Sequence, residues 1–166
     1  MLRPMQKRDL PCVAELRSDI SLQHALMASP LQKPAAIDRL QEATDWVERK
    51  EATGLFRIVS SQQDDAIGFV QICDIHFKSR FGWFGIALLR GERGRGVGWA
   101  ALNAAEAVAR NDLGLFKLLL QVRSDNAQAI KLYERADWRL VGHLEAHYHD
   151  GEERHDAAIY EKVLAA

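Results

Sequence analysis

Residues 91–98, Gly-Glu-Arg-Gly-Arg-Gly-Val-Gly, constrain this chain more than any other stretch. They separate an apolar run, WFGIALL at 83–89, from an alanine-rich amphipathic segment that continues to about Arg110. Strand, glycine-rich turn, helix is the order this predicts. Glycines let successive N–H groups face one point without side-chain obstruction, and such concave runs bind anions. A helix starting near Val97 adds unpaired N-terminal donors and the positive end of its dipole. Arg93 and Arg95 add charge-assisted contacts. Arg93, Gly94, Arg95, Gly96, Val97 and Gly98 thus form a candidate phosphate cradle; on local chemistry alone, a tight surface turn with incidental arginines is the competing reading. A P-loop is excluded, because Val97 and Gly98, not Lys and Ser/Thr, follow Gly96. GVGWAA at 96–101 fits a dinucleotide fingerprint variant. It lies past mid-chain, however, and Gln121 stands where an acidic residue would meet the ribose.

A chain of 166 residues with a net charge of −1 reads as one domain, 1–166, with no general affinity for nucleic acid or membrane surfaces. Cys12 and Cys73 fit no metal spacing and read as buried reduced thiols. The opening residues lack a signal-peptide core, and no run approaches the roughly 20 apolar residues of a membrane span. The expectation is a cytoplasmic protein.

LRPMQKRDL predicts a short first strand. Asp9 is then an N-cap and Pro11 a first-turn residue of a helix whose stripe is Val13, Leu16, Ile20 and His24. SPLQKP at 29–34 breaks it. A second helix carries Ile37, Leu40, Ala43, Thr44 and Val47 on one face and ends at Gly54. Strands follow at 55–61, 66–76 and 83–89, with Gly85 marking a bulge or a close backbone approach. LFKLLLQV at 115–122 reads as a strand buried on both faces. Asp125 and Gln128 match a capping box opening a short helix. The last two strands flank Asp150-Gly151, a hairpin signal. Seven strands and four helices make an α+β layout with a mixed sheet, in which 83–89 and 115–122 are parallel neighbours.

RGRGVG at 93–98 resembles the acetyl-CoA signature of the GNAT superfamily of N-acetyltransferases, Q/R-x-x-G-x-G/A, with Arg93, Gly96 and Gly98 in the fixed places. The context extends it. IALLRGERGRGVGWAAL is similar to that family's fourth strand, pyrophosphate loop and helix. LQVRSDNAQAIKLYERADW at 120–138 resembles its fifth strand and N-x-x-A-I-x-L-Y-E segment, and the final hairpin and the opening residues resemble its ends. Nearly the whole chain is covered in order, leaning toward enzymes that acetylate ribosomal-protein N-termini and toward small-amine acetyltransferases.

The resemblance implies a mostly antiparallel sheet with two splayed parallel strands forming an acetyl-CoA cleft. It also implies direct acetyl transfer to a primary amine: a protein N-terminus, an amino sugar nucleotide, a polyamine or an antibiotic. Main-chain groups of Ile86, Ala87 and Leu88 would hold the pantetheine arm. Tyr133 would be the general acid, and Asn126 a cofactor contact that also suits a helix cap. Trp99 would reach the nucleotide end. Gln121 departs from the ribosomal-protein subgroup, whose Glu is the base, and a neutral amide cannot replace it. Asp74 and His76, two apart on one strand face, and Glu145 and His147 in the hairpin are the remaining base candidates. His147, His149 and His155 match zinc spacing only loosely, so no metal is expected. A homodimer is compatible with the resemblance. The competing function is a non-catalytic acyl-CoA-binding module. A nucleic-acid binder is disfavoured by the missing aromatic–basic interleaving.

Overall fold

The computed structural model describes residues 1–30 and 36–164. Seven strands form one sheet: β1 (Leu2–Arg3), β2 (Leu55–Ser60), β3 (Ala66–His76), β4 (Phe81–Leu88), β5 (Lys117–Arg123), β6 (Arg139–His149) and β7 (Arg154–Val163), in the order β1-β2-β3-β4-β5-β7-β6. Only β4 and β5 run parallel. Five α-helices accompany them among the described residues: α1 (Leu10–Ser18), α2 (Ile20–Ala25), α3 (Ala36–Thr53), α4 (Val97–Asn111) and α5 (Ala127–Arg135).

The extra helix arises because the first apolar stripe breaks at Asp19. Its backbone leaves the helical region, and its carboxylate accepts from the Leu22 N–H at 3.0 Å, capping α2. Ile20, expected in the stripe, is therefore 60% exposed, while Leu22 and Gln23 turn inward. The expected break at Pro34 and the Ile37 side chain lie outside the described residues. Of the remaining α3 stripe, Ala43 and Val47 are fully buried and Leu40 is exposed.

One predicted cap moves by a residue and another keeps its place without its side-chain bond, and in both the carboxylate finds an arginine. Asp9 stands at the N-cap position of α1, with Pro11 in the first turn as expected, but its side chain makes no capping bond there. It accepts from the Gln6 N–H at 2.8 Å and pairs with Arg3 at 2.7 Å, which holds its carboxyl below the usual range. Asp125 pairs with Arg123, so Asn126 caps α5 instead, accepting from the Ala129 N–H at 3.2 Å. The first strand shrinks to two residues before a 3-10 turn at Lys7–Asp9.

Helices α1–α3 bury Val13, Leu16 and Val47 against Phe56, Ile58 and Phe69 on one sheet face. Helices α4 and α5 bury Leu102 and Tyr133 against Leu118, Leu120 and Val122 on the other. The α1–α3 layer packs on β2 and β3. Strand β5 therefore alternates between buried Leu118, Leu120, Val122 and exposed Gln121, and the expected burial of both faces does not hold.

Strand β4 keeps β3 as a partner along its length, from Phe81↔His76 to Leu88↔Gly68. With β5 it pairs only at Phe81, Gly82 and Trp83. From Phe84 onward β4 leaves β5, while β5 continues along β7 to Arg123. The divergence does not come from a bulge at Gly85, whose pairing with Gln71 is regular. Nor does another backbone approach Gly85 closely: the nearest atom to a Cβ there would be the Gln71 side-chain amide nitrogen, at 3.0 Å. The irregularity sits in β3 between Cys73 and His76, where Asp74 adopts φ 49°.

Candidate active site

The gap between the diverging strands opens into a groove of about 390 Å³. One wall is the end of β4, Ile86, Ala87 and Leu88; the opposite wall is α5 with Asn126 and Tyr133. The turn at 93–98 closes one end. Gly94 and Gly96 adopt φ 75° and 83°, a left-handed conformation that costs other residues about 1–2 kcal/mol. Beyond their chain neighbours, no atom lies within 4 Å of where their Cβ atoms would be, and both glycines line the groove. Helix α4 starts at Val97 behind a Gly96 N-cap without a side chain. The N–H groups of its first turn therefore have no intrahelical partner and no competing cap.

The predicted binding residues separate on inspection. Arg93, Gly94, Gly96, Gly98, Trp99 and Asn126 line the groove. Arg93 also holds the turn itself, donating from Nε to the Leu88 carbonyl at 2.9 Å, with Nη2 3.8 Å from the Asp19 carboxylate. The Arg95 side chain is 68% exposed, 3.8 Å from Glu92, and lies outside the groove wall. Val97 packs against the core. Gly98 answers to packing, since a Cβ there would stand 3.3 Å from Leu132. Asn126 combines capping with a place on the groove wall. Trp99 lies under the Arg135 guanidinium, 4.8 Å from the ring centre, and Arg135 shares the groove.

A second cavity, of about 360 Å³, lies on the open sheet face between α1, α2 and strands β3–β5. Leu26, Ile86, Gln121 and Tyr133 line both cavities, so the two meet there. Tyr133 is 6% exposed, with its ring 5.9 Å from Trp138 and 6.3 Å from Tyr160. Its hydroxyl makes no hydrogen bond among the described residues, and burial pushes it well above the ordinary tyrosine range. It is a protonated donor with no internal acceptor.

Of the four base candidates only Asp74 lines the second cavity. The β3 irregularity separates it from His76, so the expected shared face is lost. His76 instead stacks on Phe81 at 5.4 Å and accepts from the Ser79 N–H at 3.0 Å. Glu145 and His147 line neither cavity. His155 lies 2.6 Å from the Asp150 carboxylate rather than joining His147 and His149. Cys12 and Cys73 are free and half-buried, and burial raises both thiols, Cys12 to about 12.

The sequence reading passed over Arg17, Gln23 and Gln71, which also line the second cavity. Arg17 was visible as a charge at i+4 from Val13 and i+1 from Leu16, on the apolar side of α1. Gln71 sits opposite Gly85, where the missing side chain leaves room for it.

The comparisons agree with this geometry. The acetyltransferase (GNAT) family matches residues 21–138. Spermidine N(1)-acetyltransferase of Vibrio cholerae is 26% identical over 143 residues, 86% of this chain and 80% of that protein. An N-alpha-acetyltransferase of Saccharolobus solfataricus is 35% identical over 68 residues, 41% of each chain. A crystal structure of the Vibrio cholerae spermidine enzyme with CoA and spermine superposes with a TM-score of 0.88 at 22% identity, covering 99% of this chain and 95% of that one. Among the described residues no helix is long and apolar enough to cross a membrane. The match spans well over half the chain, and the protein belongs to the acetyltransferase (GNAT) family, as an acetyl-CoA-dependent N-acetyltransferase.

Proposed function

We propose that acetyl-CoA lies in the groove between β4 and α5, that a small primary amine enters the second cavity, and that the acetyl group crosses where the two meet. The observation that carries this reading is the junction itself, with Leu26, Ile86, Gln121 and Tyr133 common to both walls. The pyrophosphate rests on the turn at 93–98 and the first turn of α4, with Arg93 beside it. The unpaired edge of β4 at Ile86–Leu88 takes the pantetheine amides as a strand would.

The amine nitrogen attacks the thioester carbon, and the tetrahedral intermediate collapses with cleavage of the C–S bond. Tyr133 donates its proton to the departing thiolate and is reprotonated from solvent. The proton leaving the amine passes to water. Asp74, the one carboxylate on the acceptor wall, draws the ammonium form in and accepts that proton through water. Gln121 offers a neutral amide to the same junction. Polyamines, the acceptors in the names of relatives from Vibrio cholerae and Escherichia coli, are one kind of small primary amine. The free half-buried thiols fit a reducing, cytoplasmic setting.

The test is acetylation of an amine panel by the full chain with acetyl-CoA, read by mass. Turnover of small amines supports the reading. Binding of coenzyme A without turnover of any amine favours the alternative, an acyl-CoA-binding module.

A further inference from the structure

The acceptor cavity contains a charge that a polyamine site would not want. Arg17, at the end of α1, is only 9% exposed and lines the cavity. Its guanidinium sits 4.7 Å from the Trp46 ring centre. Nη1 donates to the Gln23 amide oxygen. Gln23 is itself fully buried and is fixed by donating to the Leu16 carbonyl at 2.9 Å. Nε has no partner at all. Among the described residues no carboxylate comes within ion-pair distance of Arg17; Glu42 acts on it electrostatically from α3 and Arg49 opposes that influence. Gln71, on the same cavity wall, keeps its buried amide oxygen unpartnered too.

A buried guanidinium with no carboxylate in ion-pair distance, and only Glu42 acting on it from farther away, is expensive, and one held in place by stacking and a fixed amide is not a folding accident. Opposing it in the cavity is a single carboxylate, Asp74, on the exposed stretch of β3. At neutral pH every non-reacting nitrogen of a polyamine is a cation. Within this cavity such a cation would meet Arg17 as well as Asp74. We infer that Arg17 is a specificity-determining residue, and that the preferred acceptor is a primary amine carrying an oxyanion, carboxylate or phosphate, which pairs with the Arg17 fork while the amine reaches Tyr133.

This rests on the acetyl-transfer reading above. The test uses the full chain, acetyl-CoA and four acceptor types: spermidine, an amino sugar, the same amino sugar as its phosphate, and an amino acid with a side-chain amine. Loss of a charged hydrogen bond costs about 1.5–3 kcal/mol, so the oxyanion-bearing amine should exceed its neutral counterpart by about 10- to 100-fold in kcat/KM. Whether phosphate or carboxylate wins identifies the source of the oxyanion. Arg17→Met should collapse that preference to within about threefold, and Arg17→Lys, which keeps charge but loses the fork, should retain part of it. Acetyl-CoA titration reports folding of each variant, because Arg17 does not line the donor groove. If Arg17→Met fails to fold, the wild-type preference and Arg17→Lys decide. Spermidine outperforming every oxyanion-bearing amine, or an undiminished preference in Arg17→Met, overturns the inference and leaves acetyl transfer standing. No turnover of any amine despite donor binding overturns the transfer reading, and this inference with it.

Discussion

The two cavities that meet at Tyr133 are made of different material. The donor groove offers main chain on one side, in the unpaired edge of β4, two left-handed glycines and the first turn of α4, and faces it with α5. The acceptor cavity is built from side chains that come from seven elements, among them Arg17 of α1, Gln23 of α2, Gln71 of β3 and Gln121 of β5. A diphosphate and a peptide-like arm are read well by backbone N–H and C=O groups, whose positions the fold fixes. An amine of particular size and charge has to be read by side chains, and those can be exchanged without disturbing the sheet. The donor site should therefore be brittle toward backbone changes, and the acceptor site tunable by single side chains.

The most direct way to break the donor half is Gly96→Asp. A β-carbon at φ 83° strains the turn, and a carboxylate facing the diphosphate adds like-charge repulsion of several kcal/mol. Acetyl-CoA affinity, measured by calorimetric titration, should fall about a thousandfold, which several kcal/mol implies. Gly96→Ala carries the strain without the charge and should fall in between. Equal affinity in wild type and Gly96→Asp would show that the turn holds no phosphate.

At the junction the expected loss is smaller and sits in turnover. Tyr133→Phe removes the proton donor but keeps the ring against Trp138 and Tyr160. Turnover should drop about a hundredfold, within the usual range for a lost general acid, while the KM for acetyl-CoA moves little. The pH dependence has a definite sign. Burial raises the Tyr133 pKa, so its hydroxyl stays protonated past the ordinary tyrosine value of about 10. Wild-type kcat/KM should climb with pH as the acceptor amine loses its proton, with no descending limb below about pH 10. A descending limb near neutrality that vanishes in Tyr133→Phe would contradict the burial argument.

The same difference in material explains what the sequence disclosed. The spacing of Arg93, Gly96 and Gly98 encodes backbone conformation, which is local, so the turn and the start of α4 near Val97 could be anticipated, whereas the splayed strands followed only from the family resemblance. Asp150-Gly151 encoded the β6–β7 hairpin in the same way. The acceptor wall depends on which side chains a tertiary arrangement brings together, and no spacing encodes that. Arg17 and Gln71 are 54 positions apart in sequence yet share one cavity. Strand alternation put Asp74 and His76 on one face, and a left-handed residue in β3 overrode it. Asp125 was a good cap by local rules, but Arg123 takes its carboxylate and Asn126 caps instead; Asp9 keeps the N-cap position while its carboxylate turns back to Arg3 and the Gln6 N–H.

On the acceptor side, Asp74→Asn sharpens the contrast. If this carboxylate gathers the ammonium form and takes its proton through water, kcat/KM for the acceptor should fall about tenfold at neutral pH, a modest share of general-base catalysis. The deficit should narrow as pH passes the acceptor's own pKa, because the amine then arrives deprotonated. Acetyl-CoA affinity should not change, since Asp74 does not line the donor groove. A deficit that is constant across pH would make Asp74 a shape determinant rather than a proton acceptor.

The smallest effect belongs to an aromatic–cation pair on the donor groove wall. Trp99 and Arg135 stack there at 4.8 Å, from α4 and α5. Both are partly open to solvent, where a cation–π pair contributes about 0.5–1 kcal/mol. Trp99→Ala should therefore weaken acetyl-CoA by only about two- to fivefold, by the same conversion, with the acceptor KM unchanged. That result would place nearly all donor affinity in the backbone cradle. A loss comparable to that of Gly96→Asp would instead mean that aromatic stacking on the nucleotide carries the binding, and the division of labour between main chain and side chain would fail at its first cavity.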